Sequence, residues 1–346
     1  MAEQQAKRPW HQRVRRGYRA AWLPGLLVAG IGATFLLSPW PSALLIRAVF
    51  DYGGSQANRA LAQRVPPGVV SLQDQRYDPA DADARFDLYR PQQALDGGRP
   101  LPVVVWMHGG GFVGGTRRHV ENYARMLAAQ GYAVAAVGYS LAPGQHYPRP
   151  LLQLNRALGY LQAHAGALQL DMQRVALAGD SAGAQLAAQM AVVVSDPAYA
   201  RWMQLQPAIG ADQLRATVLF CGPYDALAMA RDVNTSWFVH TVVWSYFGSR
   251  KPDLEAVAQF SVAGAVTAAF PPTFISVGND DPLQAQSYAM ARALQRQGVP
   301  LRTLFFSDQP ALALPHEYQF DLQLPQARQA FAGLSDFLRQ RLASPP

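Results

Sequence analysis

The sequence predicts an α/β fold with a mostly parallel central sheet and helices on both of its faces. Two observations predict it. Short, almost wholly apolar runs of strand length end at glycines, as strands buried on both faces do. These runs alternate with longer helical stretches, the signature of βαβ units. The 346 residues suit one large α/β domain with an insertion, or two small domains. Half of them are apolar and 15% are charged, which supplies a core and excludes intrinsic disorder.

In chain order, residues 41–54 (PSALLIRAVFDYGG) predict a short amphipathic helix ending at Gly53-Gly54. A polar stretch follows, with strand-like character at Tyr77 and Phe86–Arg90 and a turn at Asp96-Gly97-Gly98. From Pro102 the pattern is regular: strand 102–107 (PVVVWM), helix 119–130, strand 132–140, helix 150–166, strand 174–179 (RVALAG) and helix 182–194. The runs 216–222 (ATVLFCG), 273–278 (TFISVG) and 301–306 (LRTLFF) complete the strands, and a last helix covers 326–342. An aromatic segment, 225–265, interrupts the rhythm with Trp237, Phe238, Trp244, Tyr246 and Phe247.

The formal net charge is +7, and its distribution decides its meaning. Lys7, Arg8, Arg13, Arg15, Arg16 and Arg19 stand against one acid, Glu3, and the chain without residues 1–19 is close to neutral. A basic nucleic-acid-binding face is therefore not expected. No charged residue occurs from Ala20 to Ile46, and Trp22–Leu37 is strongly apolar, with Trp22 and Trp40 near its ends. This predicts a membrane anchor, residues 1–48, before a catalytic domain at 49–346. The basic tail would stay cytoplasmic and the domain would face the extracytoplasmic side. Cleavage to a secreted or periplasmic form is the alternative, though no small-x-small site directly follows the apolar run. The single cysteine, Cys221, excludes an intrachain disulfide and a cysteine-based metal cluster.

Gly179-Asp180-Ser181-Ala182-Gly183 matches G-x-S-x-G and stands between a predicted strand and a predicted helix. That context permits a sharp turn that lifts the serine hydroxyl above the sheet edge, making Ser181 the candidate nucleophile. His108-Gly109-Gly110-Gly111-Phe112 follows the strand 102–107. Its glycines can turn backbone N–H groups into a cavity, so Gly109, Gly110 and Gly111, with Ala182, are candidate oxyanion donors. A dinucleotide cradle is excluded, since GGGFVGG is neither G-x-G-x-x-G nor a P-loop. In strand–elbow–helix hydrolases the triad runs Ser, acid, His along the chain, which leaves His240 and His316 as bases. His240 sits in the aromatic segment, whereas His316 lies between the last strand and the last helix, where a base is required. For the acid, Asp280 and Asp281 close the strand 273–278, and Asp225 closes the one before it. Spacing does not separate them.

Together these residues resemble the hormone-sensitive-lipase-like carboxylesterases of the α/β-hydrolase superfamily, over about residues 100–320. HGGGF at 108–112 and GDSAG at 179–183 match in full. Tyr139-Ser140-Leu141-Ala142-Pro143, followed by Tyr147-Pro148, resembles the family's Y-R-L-A-P segment, and Asp281-Pro282-Leu283 its D-P-L acid motif. The resemblance thus selects Asp281. Four departures mark a divergent member: Ser140 for Arg, Gly144 for Glu, Ala184-Gln185 for Gly-Asn, and Glu317-Tyr318 for Gly-Phe after the base.

The resemblance implies an α/β-hydrolase fold and ester hydrolysis by Ser181, His316 and Asp281 through an acyl-enzyme, with no metal or organic cofactor. The expected partner is a small ester with an apolar acyl group, under a cap built from 225–265 and about 50–95. A serine peptidase or amidase, or a carbohydrate deacetylase, would use the same triad. A non-catalytic binding module on this fold is the alternative from another class, and such a module usually lacks a triad member. Oligomeric state does not follow from the sequence.

Overall fold

The computed structural model describes residues 26, 28, 30–227, 236–307 and 313–343. They fall into two units, Met1–Ser42 and Ala43–Pro346. The second begins earlier than residue 49 because Ala43 and Ile46 already belong to its core.

In the second unit, eight strands form one sheet. They are β1 (Val69–Arg76), β2 (Arg85–Pro91), β3 (Leu101–Met107), β4 (Ala133–Val137), β5 (Leu170–Asp180), β6 (Leu214–Phe220), β7 (Thr273–Ser276) and β8 (Leu301–Leu304). Their spatial order is β1-β2-β4-β3-β5-β6-β7-β8. β2 is antiparallel to both β1 and β4, and the pairs from β4–β3 through β7–β8 are parallel. The fold class expected from the apolar runs is therefore the one observed.

Each central strand sends alternate residues to opposite faces. On β3, Val103, Val105 and Met107 join a core with the helices Arg149–Ala163, Ala182–Ser195 and Gln284–Arg296. Val104 and Trp106 join the other core, with Glu121–Ala128 and Pro325–Arg341. The helix Ala182–Ser195 is buried from Ala182 to Val194, which accounts for its lack of a polar face.

Two expectations are corrected. The first helix runs from Trp40 to Leu61, past Gly53-Gly54, without terminating there. Gly54 instead admits His119, whose Nδ1 would lie 2.6 Å from a Cβ at that position. Second, most of residues 69–91 are strands β1 and β2 of the main sheet and not cap elements. Among the described residues no single helix is long and apolar enough to cross a membrane. Of the expected span Trp22–Leu37, residues 22–25, 27 and 29 lie outside the described residues, and the helix Gly30–Leu37 stops before Ser38-Pro39. Proline lacks an N–H and disfavours helical geometry in the residue before it.

Candidate active site

Ser181 sits where β5 ends and the helix Ala182–Ser195 begins, with φ 50° and ψ −119°. A serine at positive φ is strained, and the surroundings hold it there. Its N–H donates to the Phe220 carbonyl at 2.8 Å, which ties the turn to the end of β6. The flanking glycines explain why so tight a turn closes. A Cβ on Gly183 would overlap the Met107 carbonyl, and one on Gly179 would overlap the Gly183 backbone.

The loop after β7 and the loop after β8 are sewn together. The Asp280 N–H donates to the Leu314 carbonyl at 3.0 Å, and the Leu314 N–H donates to Asn279 Oδ1 at 2.9 Å. This brings His316 between Asp281 and Ser181. His316 Nδ1 lies 2.9 Å from Asp281 Oδ2, and Nε2 lies 3.0 Å from Ser181 Oγ. The Asp281 side chain is fully buried, and its other oxygen accepts the Leu283 N–H at 2.7 Å. Asp280, its neighbour, is exposed, and the Asp225 backbone is bound by the Gln286 side chain. Of the three acids left open by spacing, Asp281 is the one hydrogen-bonded to His316. His240 is exposed on the helix Trp237–Phe247.

Burial by itself would lower the His316 pKa. Cys221, the Asp281 hydrogen bond and the Glu317 carboxylate outweigh it and raise the value well above that of an ordinary imidazole. Cys221, at the end of β6, is wholly buried, and burial pushes its thiol up to about 11. Ligand-type atoms of Cys221, Asp281 and His316 lie within 4.8 Å of one another. With the thiol protonated near neutral pH and both imidazole nitrogens engaged, this trio is poorly suited to holding a cation.

The glycine loop after β3 is held from several sides. His108 is buried, stacks on Tyr139 at 4.3 Å and donates from Nδ1 to the Gly109 carbonyl at 2.7 Å. Burial pushes its pKa down to about 3, so the ring is neutral. Tyr139 donates its hydroxyl proton to the His108 carbonyl at 2.7 Å. Arg47, on the first helix, donates to the Val113 carbonyl at 2.6 Å and the Ala142 carbonyl at 3.1 Å.

Here one expectation fails. The Gly109 N–H donates to Asp180 Oδ2 at 2.7 Å and is therefore committed. Asp180 also accepts the Trp106 indole N–H at 2.7 Å. Gly110 and Gly111, at φ 118° and 59°, turn the chain back on itself, with Val113 and Gly114 N–H groups closing on the Gly110 carbonyl. The N–H groups of Gly110, Gly111 and Ala182 have no partner among the described residues. Above Gly111, a Cβ would meet Val242, Phe238 and Phe50 at 3.3, 3.5 and 3.6 Å. The helix Trp237–Phe247 thus covers the loop, reinforced by Phe112 stacked on Tyr246 at 3.9 Å.

Sequence reasoning did not assign roles to Asp180, Arg47, Cys221 or Glu317. Only Glu317 carried a visible signal, as a charged residue directly after the base.

A family model described as alpha/beta hydrolase fold matches residues 104–312. Esterase LipC of Mycobacterium tuberculosis is 31% identical over 259 residues, covering 68% of this chain and 61% of LipC. Carboxylesterase NlhH of the same species is 31% identical over 246 residues, covering 66% of this chain and 70% of NlhH. The chain thus spans less than two thirds of the length of LipC. Among solved structures, a bacterial heroin esterase superposes with a TM-score of 0.66 at 26% identity, covering 86% of this chain and 91% of that one. Esterase B of Lactobacillus rhamnosis superposes with a TM-score of 0.69 at 23% identity, over 87% and 97% of the two chains, which shows the fold alone.

Proposed function

The chain belongs to the hormone-sensitive-lipase-like family of the α/β-hydrolase superfamily, and on that premise we propose that it is a carboxylesterase working through a Ser181–His316–Asp281 triad. The observation that carries the reading is the unbroken chain of 3.0 and 2.9 Å contacts from Ser181 Oγ through His316 to the buried Asp281. It stands beside the unpartnered N–H groups of Gly110, Gly111 and Ala182.

In this mechanism Ser181 Oγ attacks the ester carbonyl as its proton passes to His316 Nε2. Asp281 holds the imidazole in the tautomer that leaves Nε2 free to accept, and it stabilises the imidazolium. Charge on the carbonyl oxygen is received by Gly110, Gly111 and Ala182, without Gly109. Collapse breaks the bond to the alcohol, which takes the proton from Nε2, and water repeats the sequence on the acyl-enzyme. Phe50, Phe238 and Val242 over Gly111 favour an apolar acyl group.

The test is Ser181→Ala with a short p-nitrophenyl ester. Hydrolysis and labelling by a fluorophosphonate should both vanish while the melting temperature holds. Retained wild-type turnover would sink the assignment. A panel of ester, anilide and acetylated-sugar substrates separates the esterase from an amidase or a deacetylase. No labelling in the wild type would favour a non-catalytic binding protein, and unchanged labelling in the variant would put the nucleophile elsewhere.

For location, the proposal is a membrane address supplied by the N-terminal segment, with the catalytic domain extracytoplasmic. Its support is the basic tail before an uncharged stretch, together with the exposed Leu26, Val28, Ile31, Leu36 and Leu37. Full-length protein recovered in the cytoplasmic fraction after cell lysis would refute it.

A further inference from the structure

Glu317 is placed as few surface glutamates are. It has φ 59°, a left-handed conformation disfavoured for any residue with a Cβ, immediately after the candidate base. Its carboxyl points back into the site, with Oε1 3.7 Å from His316 Nε2, the nitrogen that faces Ser181 Oγ. On its other side stands Asp180. Both carboxyls crowd Gly109, where a Cβ would lie 2.5 Å from Asp180 Oδ2 and 2.6 Å from Glu317 Oε1.

Asp180 is nearly inaccessible, and its lone pairs already receive Trp106 and Gly109. Of the two carboxyls, Glu317 is the more exposed one.

We propose that Glu317 is a positioning residue for the acyl-transfer step: its carboxyl, held 3.7 Å from His316 Nε2, places the imidazolium between Asp281 on Nδ1 and Glu317 on Nε2. The proton balance is that of the esterase reading, on which the inference rests. Ser181 loses its proton to Nε2 as the Oγ–carbon bond forms, and the departing alcohol takes it as the ester bond breaks. Glu317 neither gains nor loses a proton. It biases His316 toward the charged form, at the cost of a base that is ready only at higher pH.

Other titratable groups face the pair without supplying an opposing charge at neutral pH. Burial keeps His108 neutral and lowers the pKa of His119, and both line a cavity of about 230 Å³ with Glu317 and Asp180. Burial holds Cys221 and Tyr139 in their protonated forms. Arg64 and Asp321, one cation and one anion, line the neighbouring cavity with Glu317.

The experiment is an NMR pH titration of the His316 ring in the full chain, for wild type, Glu317→Gln and Glu317→Asp, beside kcat/KM against pH on a neutral p-nitrophenyl ester. Glutamine should keep the side chain's place beside Gly109 but replace the carboxyl at Nε2 by a neutral amide, lowering the His316 midpoint and the acid limb together by about one pH unit. Aspartate should restore part of both shifts. Glu317→Gly, which relieves the left-handed strain, should shift the limb as glutamine does without loss of melting temperature. A purely structural role would leave the titration in place. A glutamine midpoint equal to wild type overturns the inference. Absence of ester turnover in wild type would overturn the esterase reading, yet the titration would still judge Glu317.

Discussion

Replacing Asp281 by asparagine tests the geometry most directly, because the change is nearly isosteric and the side chain is fully buried. The asparagine carbonyl can still accept the Leu283 N–H that Asp281 receives at 2.7 Å, so the loop has reason to keep its shape. Its amide then faces His316 Nδ1 with a donor. The imidazole must answer by accepting at Nδ1, which moves the ring proton to Nε2 and leaves no lone pair for the Ser181 proton. The imidazolium also loses its counter-charge. At an effective dielectric of about 20, a unit charge pair at the observed 2.9 Å separation is worth about 5.7 kcal/mol. That corresponds to about four powers of ten in rate. The assay is kcat on p-nitrophenyl butyrate near the wild-type optimum, with circular dichroism and melting temperature as controls on folding. A loss of about 10⁴-fold is expected for D281N, and a change of less than about threefold for Asp280→Asn. A folded D281N retaining a tenth of wild-type kcat would refute the reasoning.

Three further outcomes follow from the same geometry. Because the His316 pKa is raised in the folded protein and the base acts in its neutral form, activity should fall as pH drops through a midpoint above about 6.5, read from kcat/KM against pH; a midpoint below that value contradicts the raised pKa. Arg47→Ala removes two hydrogen bonds that hold the glycine loop and should lower kcat about tenfold with little change in KM; steady-state kinetics identical to wild type would mean that the loop holds itself. Gly183→Ala drives a methyl into the Met107 carbonyl and should destabilise the fold by about 3 kcal/mol in urea, and a wild-type unfolding midpoint would contradict the tight elbow.

Much of this was legible before any coordinates. The strand at 102–107 and the one closing at Gly179 are continuous apolar runs with glycine stops, and both were found within a few residues of their ends. β1 and β2 were harder to read. They lie at the sheet edge, and β1 has one face toward water, so its apolar residues are diluted among polar ones. The helix Trp40–Leu61 was read short because glycines look like stops unless the partner that needs the space, His119, is known. The acid stayed open between Asp225, Asp280 and Asp281 on spacing alone, since all three follow strands. Side-chain burial and the hydrogen bond to Nδ1 separate them.

The sequence by itself determined the fold class, the elbow at Ser181 and the glycine loop, because each depends on backbone permissions and apolar periodicity that short stretches carry whole. Only the tertiary structure decided which N–H groups remain free, which acid meets His316, and that Glu317 reaches back to Asp180. Those facts depend on contacts between distant segments: Gly109 with Asp180 is 71 residues apart, and Ser181 with His316 is 135. Hydrogen bonds are short-ranged and directional, so a donor's availability is settled only when the distant chain has arrived.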